Sequence, residues 1–316
     1  MSLIEKVLNT PELVNQPPVL LDIGASGAIH FRWKKIAKYA ICIAFDPDDR
    51  KYGYIVREND NYRKLYVFNC VVTDAASEEQ PFYLTRSPYC SSFLTPRTDE
   101  LQPYAFAEKF TVERETRLMT RTVQEVLQEL NIGYIDWFKT DSQGLDLRIF
   151  QSLEEGITRR MKVAEFEPGI MHAYHGEDKL HAVLRHMDNL PFYLSEITVK
   201  GPNRISQQQL KDITSSPFMQ KLLAASHKQT AGWGEMVYLN SFDPRENMSQ
   251  RDLLLGWVIA TLNEEYGLAL QIATQGAAQY KAPLFEELRR GSIKNIRRTI
   301  WKFRFLRDVW HKLTNK

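Results

Sequence analysis

The chain has 316 residues, 43% hydrophobic and 25% charged, the proportions of a globular protein with a sizeable core rather than of a disordered or fibrous one. Its formal net charge of +2 hides an asymmetry: residues 285–316 hold ten Lys/Arg against three Asp/Glu, a net of +7, which leaves −5 for the remainder. The three cysteines, Cys42, Cys70 and Cys90, form no CxxC pair and read as reduced thiols; with no apolar signal core and no run of eighteen apolar residues, a cytoplasmic, non-spanning protein is expected.

In chain order, Val19–Ile23 reads as a buried strand running into Asp22-Ile23-Gly24-Ala25-Ser26-Gly27. A strand that enters a short glycine turn is how a doubly wound α/β domain opens a nucleotide site. The turn lets backbone N–H groups approach a ligand, since glycine has no Cβ to obstruct. No third glycine completes a dinucleotide fingerprint. Asp22, an acid in the mouth of the turn, suits a cationic or hydroxyl-bearing group better than a pyrophosphate. That points toward S-adenosylmethionine (SAM), which carries an ammonium and a sulfonium.

A helix is expected over 29–38 and a second strand over 40–45, ending at Asp46-Pro47-Asp48. A third strand is expected over 65–72 and an added antiparallel strand over 81–84, after the polar turn 74–80. Val123, Val126, Leu127 and Leu130 give 120–130 a helical spacing. A fourth strand, 135–139, ends at Thr140-Asp141; after Gly144 comes a helix with Leu145, Ile149 and Leu153 on one face and Gly156 as its stop. A fifth strand over 161–166 ends at Glu167-Pro168, 180–190 is helical, and 192–194 and 236–239 resume strand. The alternation argues for a mostly parallel, doubly wound sheet with helices on both faces. From about 246 the pattern becomes helical: 252–264, 268–280 with Pro283 as the breaker, and 293–313. Two domains are therefore expected, 1–245 and a helical appendix 246–316.

Four segments taken together resemble the FkbM family of SAM-dependent methyltransferases. They are the first glycine turn; Phe45-Asp46-Pro47-Asp48; Asn69-Cys70-Val71-Val72-Thr73-Asp74 with the following strand and the Ser91-Ser92-Phe93-Leu94 loop; and the stretch from Ile135 to Leu147. The last is similar to the family signature I-D-x-x-K-x-D-x-E-G-x-E, with Gln143 in place of the glutamate and Asp146 as the later acid. The resemblance runs in order over roughly residues 17–200. It implies a class I, Rossmann-like methyltransferase acting on the oxygen of a sugar hydroxyl, on a polysaccharide, glycolipid or natural product.

Such a domain needs the turn of Gly24, Ala25, Ser26 and Gly27 under the methionine end and Asp46 on the ribose hydroxyls. A polar residue near Thr73 or Asp74 would meet the adenine; Asp74 reads equally as a turn residue. Asp141, at the carboxyl end of the fourth strand, is placed against the methionine end or near the methyl as proton acceptor, and also reads as a helix N-cap. Lys139, inside an apolar strand, is expected to need a carboxylate partner and to serve as a structural ion pair. Glu165 and Glu167 flank Phe166 and are expected on opposite sides of the sheet, with Glu167 facing the site. His172 and His175 are candidate bases, the bland reading being surface histidines. Glu167 with both could hold a metal, although none is assigned.

On the last helix Ile293, Ile296, Ile300, Phe303, Leu306, Trp310 and Leu313 share a face opposite several cations. It reads either as docked on the body with a solvated charged face or as peripheral contact with an anionic inner-membrane surface through 293–313. Nucleic acid is the least favoured partner, and homo-oligomerisation is left open. Two other functions stay in view. One is a methyltransferase-fold subunit that binds or assembles without catalysis, which Gln143 keeps open. The other is an NAD-dependent oxidoreductase, against which the incomplete glycine set argues.

Overall fold

The computed structural model describes residues 1–25, 30, 32–47, 61–246, 248–299 and 310. Ser26, Gly27, Asp48 and most of 300–313 lie outside the described residues. The chain divides into two compact units, Val19–Asn240 and a second made of Met1–Pro18 with Ser241–Lys316.

The second unit begins with helices α1 (Leu3–Leu8) and α2 (Pro11–Asn15). The first eighteen residues, which the sequence reading groups with the sheet, thus pack with the C-terminal helices. Lys6 pairs with Glu287 at 2.6 Å, and buried Arg251 donates to the carbonyls of Gln16 and Pro17 at 2.9 and 3.2 Å.

The first unit is mixed α/β. Its main sheet holds β1 (Val19–Ile23), β2 (Ile41–Phe45) and β3 (Lys64–Phe68). The 65–72 strand of the sequence reading splits here: β4 (Val71–Val72) belongs to a second sheet with β5 (Ser77–Thr85) and β6 (Val112–Arg121), separated by the short helix α3 (Thr98–Leu101). After α4 (Val123–Glu129) come β7 (Trp137–Thr140), α5 (Asp146–Gln151), α6 (Glu155–Thr158), β8 (Val163–Phe166), α7 (Leu180–Met187) and β9 (Phe192–Lys200). Then follow α8 (Gln207–Ile213), α9 (Pro217–Ser226) and β10 (Trp233–Asn240). The main sheet runs β3-β2-β1-β7-β8-β10-β9; its pairs are parallel up to β8, and β10 is antiparallel to both neighbours.

Every residue of β1 is buried, as expected of a parallel strand covered on both faces. Val19, Leu21 and Ile23 share a core with Val126 of α4, Ile149 and Phe150 of α5, and Val183 of α7. The sheet order changes direction between β1 and β7. In open α/β sheets the crevice beyond the carboxyl ends at such a point is where ligands bind.

Three expected elements are corrected. Residues 33–39 are not one helix. They form two single 3₁₀ turns, Trp33–Lys35 and Ala37–Tyr39, because Ile36 between them adopts φ −123°, outside the helical range. Gly156 does not stop a helix but lies inside α6; α5 ends earlier, at Ser152, whose hydroxyl bonds the Ile149 carbonyl at 2.7 Å. The last helix begins ten residues before the expected start, because Pro283 opens it. The helical unit continues with α10 (Gln250–Leu262), α11 (Tyr266–Tyr280) and α12 (Pro283–Thr299). Proline is favoured at a first helical position, where its missing N–H costs nothing. On α12, Arg290, Lys294, Arg297 and Arg298 surround a shallow basic cavity around Ile293. Among the described residues no helix is long and apolar enough to cross a membrane, and all three cysteines are buried free thiols.

Candidate functional site

The stretch from Asp136 to Asp146 carries three acids, counting Asp141, whose neighbours give each a different task. Asp136, before β7, accepts from the Val19 N–H at 3.0 Å and latches the two central strands at their start. Parallel register sets Lys139 opposite Asp22, and their side chains meet at 2.9 Å. Burial works against the Lys139 ammonium, but Asp22, Asp141 and Glu165 outweigh it and hold its pKa above the lysine range. Asp146 is buried and accepts from Thr140 Oγ1 at 2.8 Å, the Ser142 N–H at 2.9 Å and the Glu167 N–H at 3.3 Å. It ties together the ends of β7 and β8.

Asp141 stands at the crevice. Its N–H donates to the Ile23 carbonyl at 2.9 Å, and Gly24 lies against its backbone with φ +77°. A Cβ on Gly24 would fall 2.2 Å from the Asp141 carbonyl oxygen. Glycine is therefore required here both by conformation and by close approach.

Two cavities open from this point. The first encloses about 620 Å³ of empty space, part of it open to solvent, between Gly24, Asp46, Val72, Phe82, Phe93 and Asp141. The second, of about 1170 Å³, is walled by Phe110, Tyr174, Trp233, Glu167 and Glu235. Tyr89, Asp141 and Gln143 line both. One chamber thus lies against β1 and β2, the other against the end of β8 and the start of β10, with the half-buried Asp141 carboxylate between them.

A family model described as Methyltransferase FkbM domain matches residues 22–193, more than half of the chain. The chain belongs to this family. No curated protein and no solved structure matches the chain. The matched span runs from Asp22 through Tyr193 and so contains Gly24, Asp46, Asp141, Gln143, Glu167 and Tyr174.

Within the FkbM domain the expected site residues separate into groups. Gly24, Asp46 and Asp141 line the first cavity and Glu167 the second. Asp22 lines neither, its carboxylate being given to Lys139. Ala25 is buried behind the turn, its N–H bonded to the Phe45 carbonyl at 3.2 Å. Thr73 and Asp74 do not reach the first cavity. Thr73 turns its hydroxyl to the Ala75 carbonyl, Asp74 is exposed, and Cys70, Val71 and Val72 take the wall instead. His172 and His175 are exposed and line neither chamber; buried Tyr174 between them is the residue that faces inward. Among the described residues no group of three His, Cys, Asp or Glu side chains has metal-holding geometry.

The expectation for Glu165 and Glu167 is also corrected. Both line a third cavity, with Lys139 and Glu235, because residues two apart in a strand share a face. They differ in surroundings rather than direction: Glu165 accepts from Trp137 Nε1 at 2.6 Å, whereas the Glu167 side chain has no hydrogen-bond or ion-pair partner among the described residues. Sequence reasoning assigned no role to Tyr89, Tyr174, Trp233 or Glu235. A signal was available for two of them: Tyr174 lies in the loop singled out for its histidines, and Tyr89 in the polar loop 87–92, which could cover an acceptor.

The site carries more acid than it can ionise. Burial pushes Asp141 up to about 6, Lys139 and the Gln143 amide opposing and Asp146 adding to the shift. Burial, then the negative charges of Asp141, Glu235 and Asp146, pushes Glu167 up to about 9. A carboxyl whose folded pKa exceeds its unfolded value binds its proton more tightly in the native state. The stabilisation is complete below the unfolded pKa and is lost as pH rises through the folded one. The ligand-free protein should therefore lose thermal stability from about pH 4.5 up to about pH 9, and Glu167→Gln should flatten that decline, as melting curves in a buffer series would show. An equal decline in the variant would remove Glu167 as the cause.

Proposed function

We propose that the domain is a SAM-dependent O-methyltransferase, with the donor in the first cavity and a sugar hydroxyl of a glycan or natural product in the second. The observation that carries the reading is the meeting of the two chambers at Asp141, at the carboxyl edge where the sheet order reverses.

The residues present fit such a donor. Asp46, buried at the end of β2, offers a carboxylate to ribose hydroxyls, and Val72, Phe82 and Phe93 form an apolar slot for a flat base. Gly24 brings backbone to the methionine end. Bound there, SAM supplies a methyl group already activated by its sulfonium. What remains for the chain is alignment of the acceptor and removal of its proton. Asp141 is the better proton acceptor: with a pKa of about 6 it is mostly ionised at neutral pH, whereas Glu167, at about 9, keeps its proton and is set to donate a hydrogen bond. Tyr174, Trp233 and Phe110 provide aromatic surface for the apolar face of a sugar ring.

Calorimetry with S-adenosylhomocysteine tests the donor site without an acceptor. Binding is expected, and Asp46→Ala should weaken it about 10- to 100-fold, the worth of a charge-assisted hydrogen bond. A folded wild-type protein that takes up no heat at millimolar ligand would end the proposal.

A further inference from the structure

The turn after β7 holds a residue that departs from the family signature, and its surroundings give it a specific task. Gln143 adopts φ +57° and is followed by Gly144 at φ +115°. A Cβ on Gly144 would meet Leu94 Cδ1 at 2.9 Å and Glu177 Cβ at 3.0 Å, so the turn is seated against two other segments. Ser92 Oγ donates to the Gln143 carbonyl at 2.8 Å and pins the backbone further. The side chain then bridges half-buried Asp141 and buried Tyr174. Gln143 Nε2 donates to Asp141 Oδ1 at 2.5 Å, and the Tyr174 hydroxyl lies 2.9 Å from Gln143 Oε1 and 2.9 Å from the Cys90 carbonyl.

Chemistry decides which way the amide points. An ionised Asp141 can only accept, so it must face the NH₂ group, which leaves Oε1 for Tyr174. The phenol is buried, and burial together with nearby Cys90 and Asp141 raises its pKa well above the tyrosine range. It therefore keeps its single proton, which Gln143 Oε1 and the Cys90 carbonyl share as acceptors. Phenol, amide and carboxylate form one directed chain from the wall of the second cavity to the junction with the first.

We propose that Gln143 and Tyr174 are positioning residues that act through Asp141: Tyr174 locks the amide, and the amide holds the carboxylate charged and turned to the point where the two cavities meet. The proposal rests on the reading of Asp141 as the carboxylate between donor and acceptor. Gln143 is then no lost acid. A glutamate in its place would set two carboxyls within hydrogen-bond distance in a buried site, and they would share a proton.

The other charged and titratable groups facing Asp141 pull in both directions. Lys139 on β7 favours the charged form, whereas Asp22 on β1, Asp146 on α5 and Glu167 beyond β8 oppose it. Cys90 and Tyr174 stay neutral, burial holding the Cys90 thiol up at about 11. Among these groups Gln143 is the neutral donor bonded to the Asp141 side chain.

Carboxyl-carbon NMR on full-length protein labelled with ¹³C-aspartate reads this directly. The Asp141 signal is assigned by its loss in Asp141→Asn. In wild type it should titrate near pH 6. In Gln143→Leu and Gln143→Glu the midpoint should rise by more than about one pH unit, and in Tyr174→Phe by a smaller but resolved amount. Tyr174→Phe removes a single hydroxyl and carries the test by itself where the Gln143 variants do not fold. An Asp141 midpoint left at the wild-type value in folded Tyr174→Phe and Gln143→Leu would overturn the proposal, leaving both as packing residues. The donor reading fails separately: a shifted midpoint in the variants, with no response of the Asp141 signal to added SAM, would keep the positioning chain and discard the cofactor.

Discussion

Gly24→Ala should abolish measurable S-adenosylhomocysteine binding and lower the melting temperature together. A left-handed alanine costs about 1–3 kcal/mol in backbone strain alone. The larger effect is steric, because the new Cβ would sit 2.2 Å from the Asp141 carbonyl oxygen and 3.0 Å from its carbonyl carbon. Neither atom belongs to a side chain that can swing aside. The ends of β1 and β7 must separate, and the 2.9 Å bond from the Asp141 N–H to Ile23 goes with them. Gly156 is the internal control: a Cβ there meets nothing within 4 Å, and the residue sits inside α6, so Gly156→Ala should stabilise slightly. Calorimetry and thermal melting on both variants decide it. Wild-type affinity in Gly24→Ala would mean that the first cavity is not the donor site.

Lys139→Met should be among the most destabilising single substitutions in the domain, at about 3–5 kcal/mol, the usual cost of stranding one member of a buried pair. Asp22 is 1% exposed and meets Lys139 at 2.9 Å. With the ammonium gone, desolvation raises the Asp22 pKa further. The damage is then greatest at neutral and alkaline pH and partly relieved in acid, where the carboxyl takes up a proton. Lys139→Met combined with Asp22→Asn should recover much of the loss, since removing both charges of a buried pair is often close to neutral. Denaturant unfolding of the four proteins in the cycle measures the coupling. Additive losses would show that Lys139 serves something other than Asp22, with Asp141 the nearest candidate.

Much of the central sheet was legible in the residues. β1, β2, β7 and β8 are short apolar runs ending in Gly, Asp or Glu, because a parallel strand buried on both faces shows no alternation and must surface at a polar residue. β6 was not legible: Val112-Glu113-Arg114-Glu115-Thr116-Arg117 reads as solvated loop, and its residues are largely exposed even when paired with β5. The break after Phe68 was equally hidden, since Val71 and Val72 continue the apolar run while joining another sheet. The two 3₁₀ turns at 33–39 keep helical apolar spacing without helical hydrogen bonding, a difference that side-chain pattern does not carry.

For the site, local sequence determined which residue types stand at the carboxyl edge: Gly24, Asp46, Asp141 and Glu167 each follow a strand within a residue or two, and strand ends can be read from the chain. Tertiary structure alone decided how they are used. Asp22 and Lys139 are joined across 117 positions by the register of β1 on β7, an ion pair whose acidic partner the chain order does not identify. Tyr174 rather than His172 or His175 faces inward, because the direction of a loop side chain is set by what the loop packs against, here Phe110 at 5.6 Å between ring centroids. The second chamber needs Tyr89, Tyr174 and Trp233 at one place, from three segments distant in the chain. Periodicity and turn chemistry act over a few residues, so they specify strands and their ends; burial, charge pairing and the protonation of Asp141 depend on neighbours that only folding brings together.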